Sequence, residues 1–317
     1  MIDLLGVPFD LCGRSSGSRL GPATLRLAGI EEALNALGCK VEDTGDVMVL
    51  PEDSSEGGLR NFGPLLSSLT EVQQRVEETL NKSRLPLVMG GDHTIALGGI
   101  SAALAKFDGS LAVLWIDAHA DLNTPGSSGS GNPHGMPLAA LLQLDSGTDG
   151  LRNQQWQELV RRLGPKKLEQ NRISWLGLRD VDKAERNQIA AMPDCFAASM
   201  HDIDRHGIVR LMERFDQWMH NSTARKLWIS FDVDALDPVL APGTGTAVRG
   251  GLTYREGHLV AETLYEFLHR PDCPYSLAGV DLVETNPAHD INNETAKVAV
   301  EWVASLFGKT ILEGRRG

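Results

Sequence analysis

Two short segments of this chain carry acidic side chains at alternate positions, and the first of them also carries a histidine between two aspartates. The first reads DAHAD over residues 117–121, and the second reads DVD over residues 232–234. Alternate residues of an extended backbone point the same way, so the side chains of each segment can converge on one point. A third motif, GGDHT over residues 90–94, adds His93, whereas Asp92 is predicted to cap the helix that follows. This spacing is suited to binding cations.

Electrostatics favours two cations rather than one. Any one of these residues alone would be an ordinary helix cap, turn residue or structural histidine. Together, four carboxylates in one place would repel each other and raise each other's pKa values, and two divalent ions would balance them. Ligands rich in carboxylate, with one histidine for each ion and no cysteine nearby, favour Mn²⁺ over Zn²⁺ and leave Fe²⁺ and Co²⁺ open. The candidate ligands are His93, Asp117, His119, Asp121, Asp232 and Asp234.

The elements that position these residues form an α/β pattern. Short apolar runs predict strands over residues 2–7, 85–89, 111–116, 173–178, 227–231 and 277–283. Helical spacing predicts helices between Pro22 and Gly38 and over residues 65–80, 156–163, 208–219, 254–268 and 295–307. Strands that are apolar throughout are buried on both faces, which favours a parallel sheet covered by helices.

A doubly wound open sheet is the favoured architecture, with a closed eight-stranded barrel as the alternative. In both folds ligands bind at the carboxyl ends of the strands, where the three motifs lie. No repeat or long linker divides the chain, so we expect a single domain over residues 1–317.

Composition excludes several classes of function. The chain has 317 residues and a net charge of −12, the wrong sign for binding nucleic acid or an anionic membrane surface. No apolar run is long enough to cross a membrane, and the first ten residues lack the basic segment of a signal peptide. The four cysteines form no C-x-x-C pair, which is typical of reduced thiols and predicts a cytoplasmic location.

GGDHT at residue 90, DAHAD at residue 117 and SFDVDALDP at residue 230, in this order along the chain, resemble the signature motifs of the ureohydrolases, the arginase and agmatinase family. The similarity extends from GVPF at residue 6 to ETNP at residue 284. It implies a three-layer α/β/α fold with a parallel sheet of eight strands and a site for two Mn²⁺ ions per chain. The metal ligands that it implies are the same six residues.

Within the family the resemblance is closest to the arginases, because the loop over residues 123–135 has their length and pattern. The resemblance implies that loop residues bind the substrate α-carboxylate, and that His134 transfers protons. It also implies that Asp182 contacts the α-ammonium group, that Glu284 orients the guanidinium and that Thr246 lies near Glu284. The loop residues matched to carboxylate recognition are Asn123, Ser128, Ser130 and Asn132.

The expected reaction is hydrolysis of L-arginine to L-ornithine and urea, with Asp121 orienting the attacking water and passing on its proton. Related hydrolases of agmatine, guanidinobutyrate or formimidoylglutamate are the nearest alternatives, since they share the metal site and differ in the loop. A non-catalytic arginine sensor stabilised by metal is a third possibility. The resemblance also implies a homo-oligomer, either a trimer or a hexamer.

Overall fold

A parallel sheet forms the centre of the computed structural model, which describes residues 1–53 and 56–312. Within these residues the sheet has eight strands, all parallel to their neighbours, in the order β2-β1-β3-β8-β7-β4-β5-β6. The strands are β1 (Ile2–Val7), β2 (Val41–Asp46), β3 (Leu85–Gly90), β4 (Leu111–Ile116), β5 (Ile173–Leu178), β6 (Phe196–Ser199), β7 (Lys226–Asp232) and β8 (Ser276–Val283). The sheet is open, with β2 and β6 at its edges, so the barrel alternative is wrong.

Helices cover both faces of the sheet. They are α1 (Gly21–Leu27), α2 (Ile30–Ala36), α3 (Phe62–Asn81), α4 (Ala96–Lys106), α5 (Pro137–Leu141), α6 (Gly150–Leu163), α7 (Lys183–Ala190), α8 (Met200–His206), α9 (Ile208–Asn221), α10 (Tyr254–His269) and α11 (Glu294–Leu306). One core includes residues of α3 to α6, and the other includes residues of α1, α2 and α8 to α11. In β4, Val113 and Trp115 belong to the first core and Leu114 and Ile116 to the second. The three-layer α/β/α prediction is therefore confirmed.

Two strands and three short helices, α5, α7 and α8, were not predicted, and one predicted helix is divided in two. The edge strand β2 has the polar sequence VEDTGD, and β6 has only four residues. Neither is buried on both faces, so neither carries the apolar signal by which the inner strands are recognised. The helix expected between Pro22 and Gly38 is broken at Gly29, whose φ of 83° is left-handed and separates α1 from α2. Among the described residues, no helix has both the length and the apolar character that a membrane span requires.

Candidate metal centre and substrate cavity

The carboxyl ends of four neighbouring strands, β3, β8, β7 and β4, bring the candidate site residues together. His93 begins a 3-10 turn just after β3, and Asp92 caps this turn by accepting a hydrogen bond from the backbone N–H of Thr94. Asp117 follows β4, Asp232 ends β7, and Glu284 follows β8. The parallel order of the sheet thus places motifs that are far apart in sequence at one edge.

The first cluster of ligand atoms surrounds the Nδ1 atom of His93. This atom lies 3.1 Å from Asp117 Oδ2, 3.1 Å from Asp121 Oδ2 and 3.2 Å from Asp232 Oδ2. His93, Asp117 and Asp232 are buried and offer ligand atoms within 4.8 Å of one another, as a single bound ion requires.

The second cluster surrounds the Nδ1 atom of His119. It lies 3.3 Å from Asp117 Oδ1 and 3.1 Å from Asp234 Oδ2. Asp117 therefore belongs to both clusters, with Oδ2 facing His93 and Oδ1 facing His119. A carboxylate shared in this way is suited to bridging two cations.

Backbone N–H groups fix the orientation of three of the carboxylates. Asp117 Oδ1 accepts a hydrogen bond from His119 N at 2.7 Å, and Asp232 Oδ1 accepts one from Asp234 N at 2.8 Å. Asp234 Oδ1 accepts a bond from Ala118 N at 3.2 Å. These hydrogen bonds hold Oδ1 of Asp232 and of Asp234. The other oxygen, Oδ2, faces His93 in Asp232 and His119 in Asp234.

A chain of hydrogen bonds sets the tautomer of His93. Trp228 Nε1 and Ser230 Oγ both donate to Asp281, at 2.5 Å each. Since the Ser230 proton points to Asp281, the Ser230 oxygen accepts the bond from His93 Nε2, at 2.8 Å. In neutral His93 the lone pair is then on Nδ1, and this buried atom has no aligned hydrogen-bond partner among the described residues. A buried nitrogen lone pair facing three carboxylate oxygens fits a metal ion.

We expect Ser230→Ala to weaken metal binding by roughly ten- to a hundredfold, the usual effect of removing a hydrogen-bond partner of a ligand. Equilibrium dialysis against Mn²⁺ measures this effect. Ser174→Ala is the matched control, because Ser174 is a buried serine whose hydroxyl donates only to the Val113 carbonyl. Equal affinities in the two variants would show that the Asp281–Ser230–His93 chain does not support the site.

Without cations, the cluster is electrostatically unfavourable. Burial, together with the neighbouring carboxylates, raises the pKa of Asp232 and Asp234. Burial and the charge of Asp117 raise the pKa of Asp121 to about 6. Bound cations remove this cost, because they stabilise the charged form of every carboxylate that faces them.

A cavity of about 200 Å³ opens beside the two clusters. Its size suits a metabolite no larger than an amino acid, since drug-sized ligands occupy clefts of about 300–1,000 Å³. The residues that line it are His93, His119, Asp121, Asn123, His134, Gly135, Asp180, Asp182, Glu185, Asp232, Thr246 and Glu284.

Glu284 and His134 form a pair in this cavity. Glu284 Oε1 accepts a hydrogen bond from His93 N at 3.0 Å and lies 2.8 Å from His134 Nδ1. Burial disfavours protonation of His134, but the Glu284 carboxylate outweighs it and raises the pKa of His134 to about 9. Asp121 and Glu284 both have left-handed backbones, with φ of 48° and 61°. Such strain in non-glycine residues is concentrated at functional sites.

The loop over residues 123–135 divides into two parts. Asn123 lines the cavity, and its Nδ2 donates to Asp182 Oδ2 at 2.8 Å. Ser128, Ser130 and Asn132 lie outside the cavity lining, and the Ser128 and Ser130 hydroxyls accept hydrogen bonds from backbone N–H groups of the same loop. This second part of the loop is thus hydrogen-bonded to itself and does not line the cavity.

Two contacts were not predicted from the sequence. Thr246 donates to Asp234 Oδ2 at 2.7 Å, so its hydroxyl contacts a candidate metal ligand. Asp182 caps α7 in a capping box with Glu185, which also lines the cavity. Burial raises the pKa of Glu185 to about 7. The D-x-x-E spacing is the sequence signal by which Glu185 could have been found.

Comparison with known proteins agrees with this geometry. A sequence model described as the arginase family matches residues 1–308. An arginase of Staphylococcus aureus (strain MRSA252) is 39% identical over 316 residues, which are 98% of this chain and 98% of that protein. An arginase of Bacillus subtilis (strain 168) is 37% identical over 312 residues, 98% of this chain and 99% of that one. The native structure of arginase from Bacillus caldovelox superposes with a TM-score of 0.88 at 35% identity, covering 98% of this chain and 99% of that chain.

Proposed function

Because this chain belongs to the arginase family, we propose that it hydrolyses L-arginine to L-ornithine and urea with two Mn²⁺ ions. The observation that carries the proposal is the arrangement of both ligand clusters, Glu284 and Asn123 around one cavity of amino-acid size. The enzyme is accordingly a hydrolase of a guanidino C–N bond.

The residues that would hold the ions are the six candidate ligands. His93 and Asp232 would bind one ion, and His119 and Asp234 would bind the other. Asp117 would bind both ions, and Asp121, which lies next to His93, would bind the first. When bound, two divalent ions lower the pKa of water towards neutrality and so make it a nucleophile at physiological pH.

Glu284 orients the substrate. Its carboxylate binds the planar guanidinium through charge-assisted hydrogen bonds, which are stronger than hydrogen bonds between neutral groups. The contact with His93 N holds Glu284 Oε1 in place before substrate arrives. The guanidinium carbon is then presented to the attacking water beside Asp121.

Asp121 and His134 handle the protons. Attack by water gives a neutral tetrahedral intermediate, and Asp121 receives the proton that the water gives up. The leaving group is an alkyl amine with a pKa of ~10.4, so it departs readily only if it is protonated. Asp121 passes the proton to this amine, and His134, partly exposed at the cavity, exchanges protons with solvent.

The amino-acid end of the substrate carries a negative and a positive group, and each would be bound by its own set of side chains. Asn123, Ser128, Ser130 and Asn132 offer neutral donors to a carboxylate, directly or through water. Asp182 offers a negative charge to the α-ammonium group. Its Oδ1 is engaged by backbone N–H groups of α7, so Oδ2, which now accepts from Asn123, is the oxygen available to the substrate.

A panel of guanidino compounds tests this function. Agmatine lacks the α-carboxylate, and each hydrogen bond to a charged group contributes ~1.5–3 kcal/mol, so kcat/KM for agmatine should be lower by about a hundredfold or more. L-Arginine, D-arginine, agmatine and 4-guanidinobutyrate are compared on one preparation loaded with Mn²⁺. Comparable values for agmatine or 4-guanidinobutyrate would contradict recognition of the amino-acid end.

We also propose that the enzyme acts as a homo-oligomer, a trimer or a hexamer, in the cytoplasm. Membership of the family supports the assembly. The four cysteines are free, which is typical of a reducing compartment.

A further inference from the structure

Arg179, in the turn after β5, has an unusual set of partners. Its guanidinium donates at distances of 2.5–3.3 Å to backbone carbonyls, and it makes no ion pair within 4.0 Å among the residues that the structure describes. Arg179 is partly buried, and arginines that are removed from solvent are normally paired with carboxylates. The carbonyls belong to Gly177, Asp234, Ala235, Leu236 and Val248.

These carbonyls lie in segments that carry the second ligand cluster. Asp234 is itself a ligand of that cluster, and the carbonyls of Ala235 and Leu236 continue the same turn. Val248 lies on the loop that brings the Thr246 hydroxyl to Asp234 Oδ2. Arg179 therefore ties the turn after β7 to the loop that supports its carboxylate.

The backbone of the same turn holds the segment after β4. The N–H groups of Arg179 and Asp180 both donate to the Ala118 carbonyl, at 2.9 and 3.0 Å. Gly177, with a φ of 102°, passes so close that a Cβ there would lie 3.1 Å from the Asp117 carbonyl oxygen. The turn over residues 177–180 thus contacts the backbone around Asp117, Ala118 and Asp234.

The first cluster is supported differently. His93 depends on Ser230 and Asp281, and its backbone N–H donates to Glu284. The Arg179 guanidinium donates to none of these residues. His93 and Glu284, beside the first cluster, are therefore held by contacts that do not involve the Arg179 guanidinium, whereas Asp117 is common to both clusters.

We propose that Arg179 is a positioning residue that sets the affinity of the second metal site, formed by Asp117, His119 and Asp234. This inference rests on the two-ion centre of the proposed function. By holding the carbonyls around Asp234, Arg179 keeps the Asp234 carboxylate facing His119, and the second ion binds tightly only while it does so.

An effect of the Arg179 charge and an effect of its hydrogen bonds would change metal affinity in opposite directions. Arg179 is a cation close to a cluster of carboxylates, so its removal should strengthen cation binding at both sites if its charge were what mattered. If it acts by position, its removal should weaken binding at the second site alone. The sign of the change and its confinement to one site separate the two roles.

The test compares Arg179→Met with Arg172→Met. Arg172 stands at the other end of β5, is also partly buried and also donates to a carbonyl, that of Gly109. Mn²⁺ binding is measured by equilibrium dialysis, and electron paramagnetic resonance separates isolated ions from coupled pairs. We expect Arg179→Met to bind one ion with wild-type affinity and the second roughly ten- to a hundredfold more weakly, with Arg172→Met unchanged.

Arg179→Lys keeps the charge but cannot reach all the carbonyls, so it should show a smaller loss at the second site. It also covers the case in which Arg179→Met fails to fold, which thermal melts without metal would reveal. Unchanged affinity, tighter binding or an equal loss at both sites would overturn the proposal. Failure of the proposed function is seen separately in the wild type, as one bound ion or as no urea from L-arginine.

Discussion

Replacing Asp117 by asparagine is expected to abolish binding of both Mn²⁺ ions and to lower urea release from L-arginine by at least about a thousandfold. Asp117 is the carboxylate shared by the two clusters, with one oxygen facing each histidine. An amide has no charge and only one acceptor oxygen. Bound ions contribute several kcal/mol to transition-state stabilisation, and each ~1.4 kcal/mol is a factor of ten in rate.

Elemental analysis and a urea assay on the same sample measure the effect of Asp117→Asn. Asp216→Asn is the control, because Asp216 is a buried carboxylate that pairs with Arg270 and Tyr275. The control should lose stability and keep both ions. Two ions per chain in Asp117→Asn would be incompatible with a shared ligand.

His134→Ala is expected to lower kcat for L-arginine by roughly ten- to ten-thousandfold, the range for acid-base groups. Its Nδ1 lies 2.8 Å from Glu284, and the pKa of about 9 keeps the imidazole protonated at neutral pH. It is therefore able to supply protons to the site. Because His134 belongs to neither ligand cluster, the metal content should not change.

Two measurements distinguish proton transfer from a structural role of His134. Free imidazole added to His134→Ala should restore part of the turnover, and His269→Ala, at an exposed histidine of α10, should have wild-type turnover. Full activity in His134→Ala, or a loss accompanied by loss of metal, would contradict the assigned role.

The inner part of the fold could be predicted because it is buried on both faces. The six inner strands have short apolar sequences, which are typical of strands buried on both faces. Each motif lies at the end of one of these strands. The edge strands β2 and β6 are recognised only through pairing with β1 and β5, and that pairing depends on residues distant in sequence.

The floor of the site was more predictable than its rim. Ligand spacing in DAHAD and DVD follows from the geometry of extended backbone, which is local. The contact of Thr246 with Asp234 and that of Asn123 with Asp182 join separate loops, and loop conformation depends on the whole fold. Arg179 gave no sequence signal, because its partners are backbone carbonyls, which every residue has.

The Trp228 indole, which begins the hydrogen-bond chain to His93, is enclosed by two glycines. A methyl group at Gly279 would lie 2.2 Å from the Trp228 ring, and one at Gly99 would lie 2.6 Å from it. A rigid ring cannot move aside without changing the direction of its N–H towards Asp281. A side chain at Gly99 or Gly279 is therefore expected to disturb the metal centre through Trp228 and Asp281, although neither glycine lines the cavity.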